Sequence, residues 1–312
     1  MERTDLSIVS VNISEKKGTV KSPVEIIELE ETGIRGDAHA GRWHRQVSLL
    51  GEESIKRFSS HAGRMPSYGE FAENITTRGL ELAGTLPLDR LASGDVELEI
   101  TQIGKKCHGS TCAIFQEVGD CVMPKEGIFA RVIKGGRLKA GDRMEYHPRK
   151  FRCLVITLSD RASRGEYQDK SGPAVIRLIE DHFKVRGRGI STKAIVMPDE
   201  RGRLHKKMEE AREEKYDFVI TTGGTGIGRR DITPEVVRPL LDKEIPGIME
   251  MIRLKYGAEK PNALLSRGVA GVMGSSLVYT LPGSVRAVNE YMSEILKTLE
   301  HLVYMLHGID SH

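Results

Sequence analysis

Long apolar runs are missing from this sequence. No stretch approaches the roughly 18 residues that a membrane-spanning helix needs. The segment from Met1 to Ser14 also lacks the basic, apolar, then small-residue order of a secretory signal, so the expected location is the cytoplasm and no membrane partner is expected. Aromatic residues are scarce, at 5% with Trp43 the single tryptophan, which argues against a stacking platform for single-stranded nucleic acid. Net charge is small as well. The 47 Lys+Arg against 44 Asp+Glu leave +3, too little for the basic stripe of a nucleic-acid binder, though enough for local pockets that take phosphate-bearing small molecules. The four cysteines are Cys107, Cys112, Cys121 and Cys153. In a reducing compartment they stay thiols, so their spacing has to be read as chemistry or packing rather than as a disulfide framework. Repeats and long low-complexity tracts are absent, and periodic apolar segments run the whole length, which excludes disorder as the main state.

Glycine is what the chain has in excess, 33 residues of 312. Without repeats, such a surplus means tight turns and close backbone approaches. At about 150 residues per domain the length predicts two domains, and the two halves differ in rhythm. Residues 1–147 show short β-branched segments broken by glycine and charged turns: Leu6–Ile13, Val24–Leu29, Val96–Ile103 and Ile128–Ile133. Helical signal is confined to Gly51–Phe58 and Tyr68–Asn74. This predicts an all-β domain, barrel or sandwich, with a few short helices. Residues 148–152, with Pro148, read as a linker. From Cys153 onward, strand and helix alternate. Strands are expected at Cys153–Leu158, Lys193–Met197, Phe218–Thr222 and Val278–Leu281. Helices are expected from Ser171, over Arg203–Glu214 and over Val285–His307, where Val285, Val288, Met292, Ile295, Leu299, Leu302 and Leu306 form one apolar stripe. Repeated βα units predict a mostly parallel, doubly wound sheet with ligands at the strand C-termini.

The most informative stretch of the second half is TTGGTGIGRRDITPE, residues 221–235. It leaves a strand and enters a helix at Thr233–Pro234. Gly223, Gly224, Thr225 and Gly226, with Arg229 and Arg230 close behind, can turn backbone amides onto an anion. The spacing is neither a Walker A loop nor the dinucleotide fingerprint, and a tight strand-to-helix turn is the simpler alternative. Asp199 and Asp231 each follow a predicted parallel strand and can share one crevice. A carboxylate beside a phosphate is repulsive unless a cation intervenes, so Mg²⁺ is the economical partner for both. The alternative for each is a helix cap. Ser266 in ALLSRGVAG, Ser284 in LPGS, and Ser159 and Asp160 in SDRASRGEYQDKSGP complete the candidates at strand ends.

Taken together and in this order, these motifs resemble the molybdopterin adenylyltransferase family and its molybdopterin-binding relatives over residues 151–308. The resemblance implies an α/β three-layer domain at residues 153–312 with a mostly parallel sheet, the molybdopterin-binding fold. It implies an enzyme that joins AMP from ATP to the terminal phosphate of molybdopterin and releases pyrophosphate. The family's catalytic acids fall on Asp199 and Asp231, its functional serine on Ser266 and its glycine loop on residues 223–226. It also implies a homotrimer formed through this domain.

In the first half, Cys107, Cys112 and Cys121 lie close together with His108, which raises zinc, but a fourth ligand pair at finger-like spacing is missing. Lys105, Lys106 and His108 beside Cys107 favour a thiolate instead. Cys153, in its strand, and Cys121 read as small buried hydrophobes. A second donor-rich loop, Gly33 to Leu49, gathers Arg35, His39, Arg42, His44 and Arg45 and suits a phosphate, or is a solvated basic loop. GIRGDAHAGRWHRQVSLL, YGEFAENITTRGL, LEITQIGKKCHGSTCAI and GIFARVIKGG resemble the MOSC domain over residues 5–147. That resemblance implies a mainly-β barrel at residues 1–147 that binds molybdopterin or the molybdenum cofactor, or handles sulfur through a cysteine. It implies that a thiolate ligates molybdenum, with Cys112 ahead of Cys107 for that role. The expected function is therefore molybdenum cofactor biosynthesis, with molybdenum-insertion proteins or molybdoenzymes as further partners. The alternatives are a carrier without turnover and a molybdenum redox enzyme built on the first domain.

Overall fold

Alternation of apolar and polar positions builds the first half strand by strand. In the computed structural model, which describes residues 3–105 and 121–309, the chain divides into two compact units, Met1–Arg149 and Lys150–His312. The first runs β1 (Thr4–Ile13), β2 (Ser22–Val24), β3 (Ile26–Glu30), β4 (Gly33–Ile34), β5 (Val47–Gly51), α1 (Glu52–Ala62), β6 (Ile75–Arg78), β7 (Arg90–Ser93), β8 (Val96–Ile103), α2 (Met123–Glu126), β9 (Ile128–Lys134), β10 (Gly136–Lys139) and β11 (Arg143–His147). An eight-stranded sheet follows the order β11-β7-β8-β9-β5-β6-β1-β2, and β11 also pairs with β1. That pairing closes the sheet into a barrel, with β2 left as a short edge strand on β1. Val96, Leu98 and Ile100 of β8 are buried with Leu6, Ile8, Leu49, Ile75, Leu91 and Met144 from the other barrel strands.

Two expectations for this unit change. Residues 24–29 are not one strand. The chain bends at Glu25, so that β2 pairs with β1 while β3 pairs with β10 and β4 in a separate three-stranded sheet. The helix expected over Tyr68–Asn74 is absent. Gly69 and Ala72 have φ of +87° and +63°, values that no right-handed helix holds. The segment is a turn tied down by acids instead. Tyr68 Oη donates to Glu52 Oε1 (2.6 Å), and the Gly69 amide donates to Glu73 Oε1 (2.7 Å).

The second unit begins at β12 (Lys150–Leu158), inside the segment expected as a linker. The reason is Phe151, whose buried ring lies 5.1 Å from that of Phe183 and 5.4 Å from that of Phe218. Then follow α3 (Asp160–Ser163), α4 (Ser171–Val185), β13 (Gly189–Met197), α5 (Arg201–Glu213), β14 (Phe218–Thr222), α6 (Thr233–Val237), β15 (Lys243–Glu244), α7 (Pro246–Gly257), β16 (Ala270–Met273), β17 (Ser276–Leu281) and α8 (Val285–Leu306). The sheet order is β13-β12-β14-β17-β16-β15. β13, β12, β14 and β17 pair in parallel, whereas β16 and β15 run antiparallel at one edge. Leu154, Ile156 and Leu158 of β12 pack with Leu204, Met208 and Ala211 of α5 and with Val236 and Val237 of α6. On α8 the apolar stripe holds at Val288, Met292, Ile295 and Leu299, then passes to Val303 rather than Leu302, as a 3.6-residue repeat requires. Among the described residues no helix is long and apolar enough to cross a membrane.

Register is what positions the site. Leu158 lies opposite Met197, Thr157 opposite Thr222, and Thr222 opposite Leu281. The C-terminal ends of the parallel strands are therefore level, and the four loops that leave them meet along one edge of the sheet.

Glu52, the first residue of α1, is buried and bonded by Arg78 through Nε (2.7 Å) and Nη2 (2.8 Å). Arg78, with Lys56 and Tyr68, holds its carboxyl well below the ordinary glutamate value of 4.5. A depressed acid contributes stability that is present above the unfolded-chain value and is lost as the pH falls below it. Denaturant midpoints for the wild-type chain should decline as the pH drops below about 4.5, and Glu52→Gln should be less stable at neutral pH with a shallower acid decline. An identical acid slope in the variant would remove Glu52 from the account.

Candidate functional site

Each loop at the level strand ends contributes one part of the site. After β12, Ser159 caps α3, its Oγ accepting from the Ala162 amide (3.2 Å) and sharing a hydrogen bond with Tyr167 Oη (2.9 Å). After β13 comes Asp199, which does not cap α5. The cap position is Glu200, and it makes no side-chain capping bond. The Asp199 carboxylate turns to the neighbouring loop. The Asp160 amide donates to Asp199 Oδ2 (3.0 Å), and the Asp199 amide donates to Asp160 Oδ1 (3.1 Å). Arg230 grips Asp160 with two bonds, Nε to Oδ2 (2.9 Å) and Nη2 to Oδ1 (2.6 Å).

The glycine loop after β14 is shaped by contacts that a side chain would destroy. Gly224 has φ +64°, and a Cβ there would sit 2.5 Å from Thr233 Oγ1 and 3.4 Å from Asp199 Oδ1. A Cβ at Gly226 would sit 2.8 Å from Asp231 Oδ2. Asp199 and Asp231 thus lie against the same loop. Asp231 does not cap α6 either, since the cap position is Ile232; its Oδ2 accepts from the Gly228 amide (2.7 Å) and closes the loop on itself.

The carbonyls of residues 223–226 are all taken. Gly223 O accepts from Thr233 Oγ1 (2.8 Å), Gly224 O from the Thr233 amide (3.0 Å), Thr225 O from the Arg267 amide (2.9 Å) and Gly226 O from Arg267 Nε (2.7 Å). Arg267 Nη2 also donates to Asp231 O (3.0 Å), and its Nη1 pairs with Glu235. The amides are a different matter. Gly223 N bonds Leu281 O (2.9 Å), but among the described residues the amides of Gly224, Thr225 and Gly226 have no acceptor. Three consecutive unbonded amides are donors free to take an acceptor from outside the loop.

The electrostatics are lopsided. Burial pushes the Asp199 carboxyl up, and the charges of Asp160 and Asp231 add to that, whereas Arg230 opposes it. The Arg230 guanidinium holds Asp160 below the usual carboxylate range. Of the two arginines in the loop, Arg230 meets the acids and Arg229 is exposed. Ser266 lies beside Arg267, its Oγ only 3.5 Å from the Gly268 amide. Ser284 caps α8, accepting from the Ala287 amide (3.2 Å), next to Gly283, which packs against Gly223. Asp160, Asp199, Asp231, Arg230 and the loop are therefore brought together. Arg267 and Thr233 hold the loop, roles that the sequence pattern did not point to. Among the described residues no three His, Cys, Asp or Glu side chains group to hold a metal unaided.

The first unit keeps a charged pair inside. Lys21 and Asp37 have fully buried side chains 2.5 Å apart. Asp37 also accepts from Asn74 Nδ2 (3.0 Å) and from the amides of Ser14 (3.1 Å) and His39 (2.9 Å). Burial works against its charge, but the bonds from His39 and Lys21 prevail and hold it low. His39 Nδ1 lies 3.3 Å from Lys21 Nζ. The guanidinium of Arg45 sits 4.9 Å from the Trp43 ring centre, with its buried Nε unpaired among the described residues. Arg35, in contrast, is taken up by Glu28 (2.7 Å) and Glu30 (2.6 Å) and does not join His39. Cys121 and Cys153 are buried, and burial pushes the Cys153 thiol up. Cys107 and Cys112 lie outside the described residues.

A family model described as "Probable molybdopterin binding domain" matches residues 154–301, and a model described as "MOSC domain" matches residues 36–145. The molybdenum cofactor biosynthesis protein B of Bacillus cereus is 37% identical over 163 residues, 51% of this chain and 93% of that protein. The molybdopterin adenylyltransferase of Helicobacter pylori is 33% identical over 155 residues, 49% of this chain and 86% of that protein. Gephyrin of Dictyostelium discoideum is 37% identical over 160 residues, 49% of this chain, and the chain spans only 22% of gephyrin's length. The chain belongs, through its C-terminal half, to the molybdopterin-binding family of molybdenum cofactor biosynthesis proteins, and its N-terminal half carries a MOSC domain.

Proposed function

We propose that the second unit transfers AMP from ATP to the terminal phosphate of molybdopterin, and that the first unit binds molybdopterin or the finished molybdenum cofactor. One observation carries the first half of this reading. The amides of Gly224, Thr225 and Gly226 are unbonded among the described residues, and the Asp199 and Asp231 carboxylates lie against the same loop. In the reaction, an oxygen of the pterin phosphate forms a bond to the α-phosphorus of ATP. The bond from that phosphorus to the bridging oxygen breaks, and pyrophosphate leaves. The attacking phosphate monoester is already anionic near neutral pH, so no strong base is needed. The obstacle is repulsion between two polyanions.

Asp199 and Asp231 fit Mg²⁺. They are hard oxygen donors, and Asp199, raised by burial and by its acidic neighbours, is short of positive charge. Mg²⁺ keeps part of its coordination for water and substrate phosphate, so two carboxylates suffice. When bound, it supplies charge neutralisation between acids and phosphates. The chain's own contribution is placement: loop amides hold a phosphate, Asp199 and Asp231 fix the edge against which it sits, and Arg267 keeps the loop in shape. In the first unit, the unpaired Nε of Arg45 beside Trp43 supports a phosphate-bearing ligand. The trimer implied by the resemblance belongs to this proposal too, and exposed Met251, Leu254, Leu264 and Leu265 are the apolar surface it would cover.

Pyrophosphate should be released from ATP and Mg²⁺ only when molybdopterin is added. Asp231→Asn should reduce that release by at least about a hundredfold while molybdopterin still binds. Unchanged turnover would sink the assignment of Asp231, and pterin binding without any pyrophosphate in the wild type would leave a carrier in place of an enzyme. In sedimentation, Leu254→Asp should shift a trimer to monomer; a wild-type monomer would contradict the assembly.

A further inference from the structure

Arg230 has an acid as its partner. Its guanidinium forks onto Asp160, with bonds of 2.9 and 2.6 Å, from a side chain that is 62% exposed. Asp160 in turn exchanges backbone bonds with Asp199. Arg230 is the only cation bonded to this acidic group among the described residues, since Arg164 pairs with Glu166 (2.7 Å) and Arg229 is exposed. An exposed ion pair of this kind is weak and easily exchanged. A guanidinium fork matches phosphate as well as it matches carboxylate. The loop that carries Arg230 begins with glycines and presents three unbonded amides a few residues upstream.

We infer that Arg230 is a phosphate-binding residue held in store by Asp160, and that an arriving polyphosphate competes with Asp160 for the guanidinium. With no anion present, the Arg230–Asp160 pair lowers the charge imbalance around Asp199 and keeps the loop edge ordered. With the anion present, Arg230 leaves Asp160 and adds a fork to the amide cradle. Asp160 is then a positioning residue that sets the threshold for nucleotide binding. This inference rests on the proposed nucleotide reading of the same site.

The test is a double-mutant cycle in binding, which does not require turnover. MgATP and, separately, inorganic triphosphate are titrated calorimetrically into the full chain. Arg230→Met should weaken both about ten- to a hundredfold. Asp160→Asn should tighten both about two- to fivefold, because the competitor is gone. The two changes should not add. In the Arg230→Met background, Asp160→Asn should have no effect. Arg230→Lys, which keeps the charge but not the fork, should fall between wild type and Arg230→Met. The cycle separates the latch from simple charge removal, since a purely electrostatic Asp160 tightens binding equally in both backgrounds, and that result would overturn the inference. Undiminished affinity in Arg230→Met would also overturn it, as would a wild-type chain that binds neither anion. If the coupling holds with triphosphate while ATP yields no pyrophosphate with molybdopterin, the latch stands and the adenylyl-transfer reading falls.

Discussion

Everything at the candidate site depends on what Arg267 does to the backbone of one loop. Its amide and Nε take the carbonyls of Thr225 and Gly226, and its Nη2 takes that of Asp231, while Glu235 anchors the far end of the guanidinium. A backbone whose carbonyls are bonded inward must present its amides elsewhere. The amides of Gly224, Thr225 and Gly226 are left unbonded by that arrangement. Thr233 completes it from the helix side, with its hydroxyl on Gly223 O and its amide on Gly224 O. The free amides on which the proposed phosphate site rests thus accompany a loop whose carbonyls are satisfied by Arg267 and Thr233.

The acids add the second constraint. Asp160, Asp199 and Asp231 meet there because parallel strands in register deliver their C-terminal ends to one edge. Gathering negative charge in one place is costly unless cations are supplied. One is built in, as Arg230 on Asp160. The same logic applies inside the barrel, where Lys21 and Asp37 are buried only because Asn74, Ser14 and His39 satisfy the remaining valences of the carboxylate.

Much of this was legible in the sequence, and what was not has physical reasons. Alternating strand and helix segments announced the level strand ends, and with them Ser159, Asp160, Asp199, Asp231 and the glycine loop. The strand pattern left barrel and sandwich open and the resemblance implied the barrel, which is what forms; local pattern could not choose, because the closing pair, β11 with β1, joins residues far apart in the chain. Short antiparallel β15 and β16 carry too few residues for periodicity to register. The turn at residues 68–72 looked helical, since composition does not reveal the positive φ of Ala72. At Asp199 and Asp231 the sequence left cap and ligand roles open, and geometry removed the cap in both cases. Arg229 and Arg230 are adjacent, chemically equal and both exposed, so only coordinates could show that Arg230 is the one on Asp160. That Arg267 donates to the backbone of Thr225, Gly226 and Asp231 could not be read from the sequence, because those residues lie some forty positions upstream.

The central claim is that the amides of Gly224, Thr225 and Gly226 are the phosphate ligands. Amide chemical shifts followed by NMR during titration with MgATP test it most directly. The account predicts that these three resonances move downfield together and saturate with the binding curve. It is contradicted if MgATP binds, perturbs amides elsewhere in the chain and leaves these three where they were.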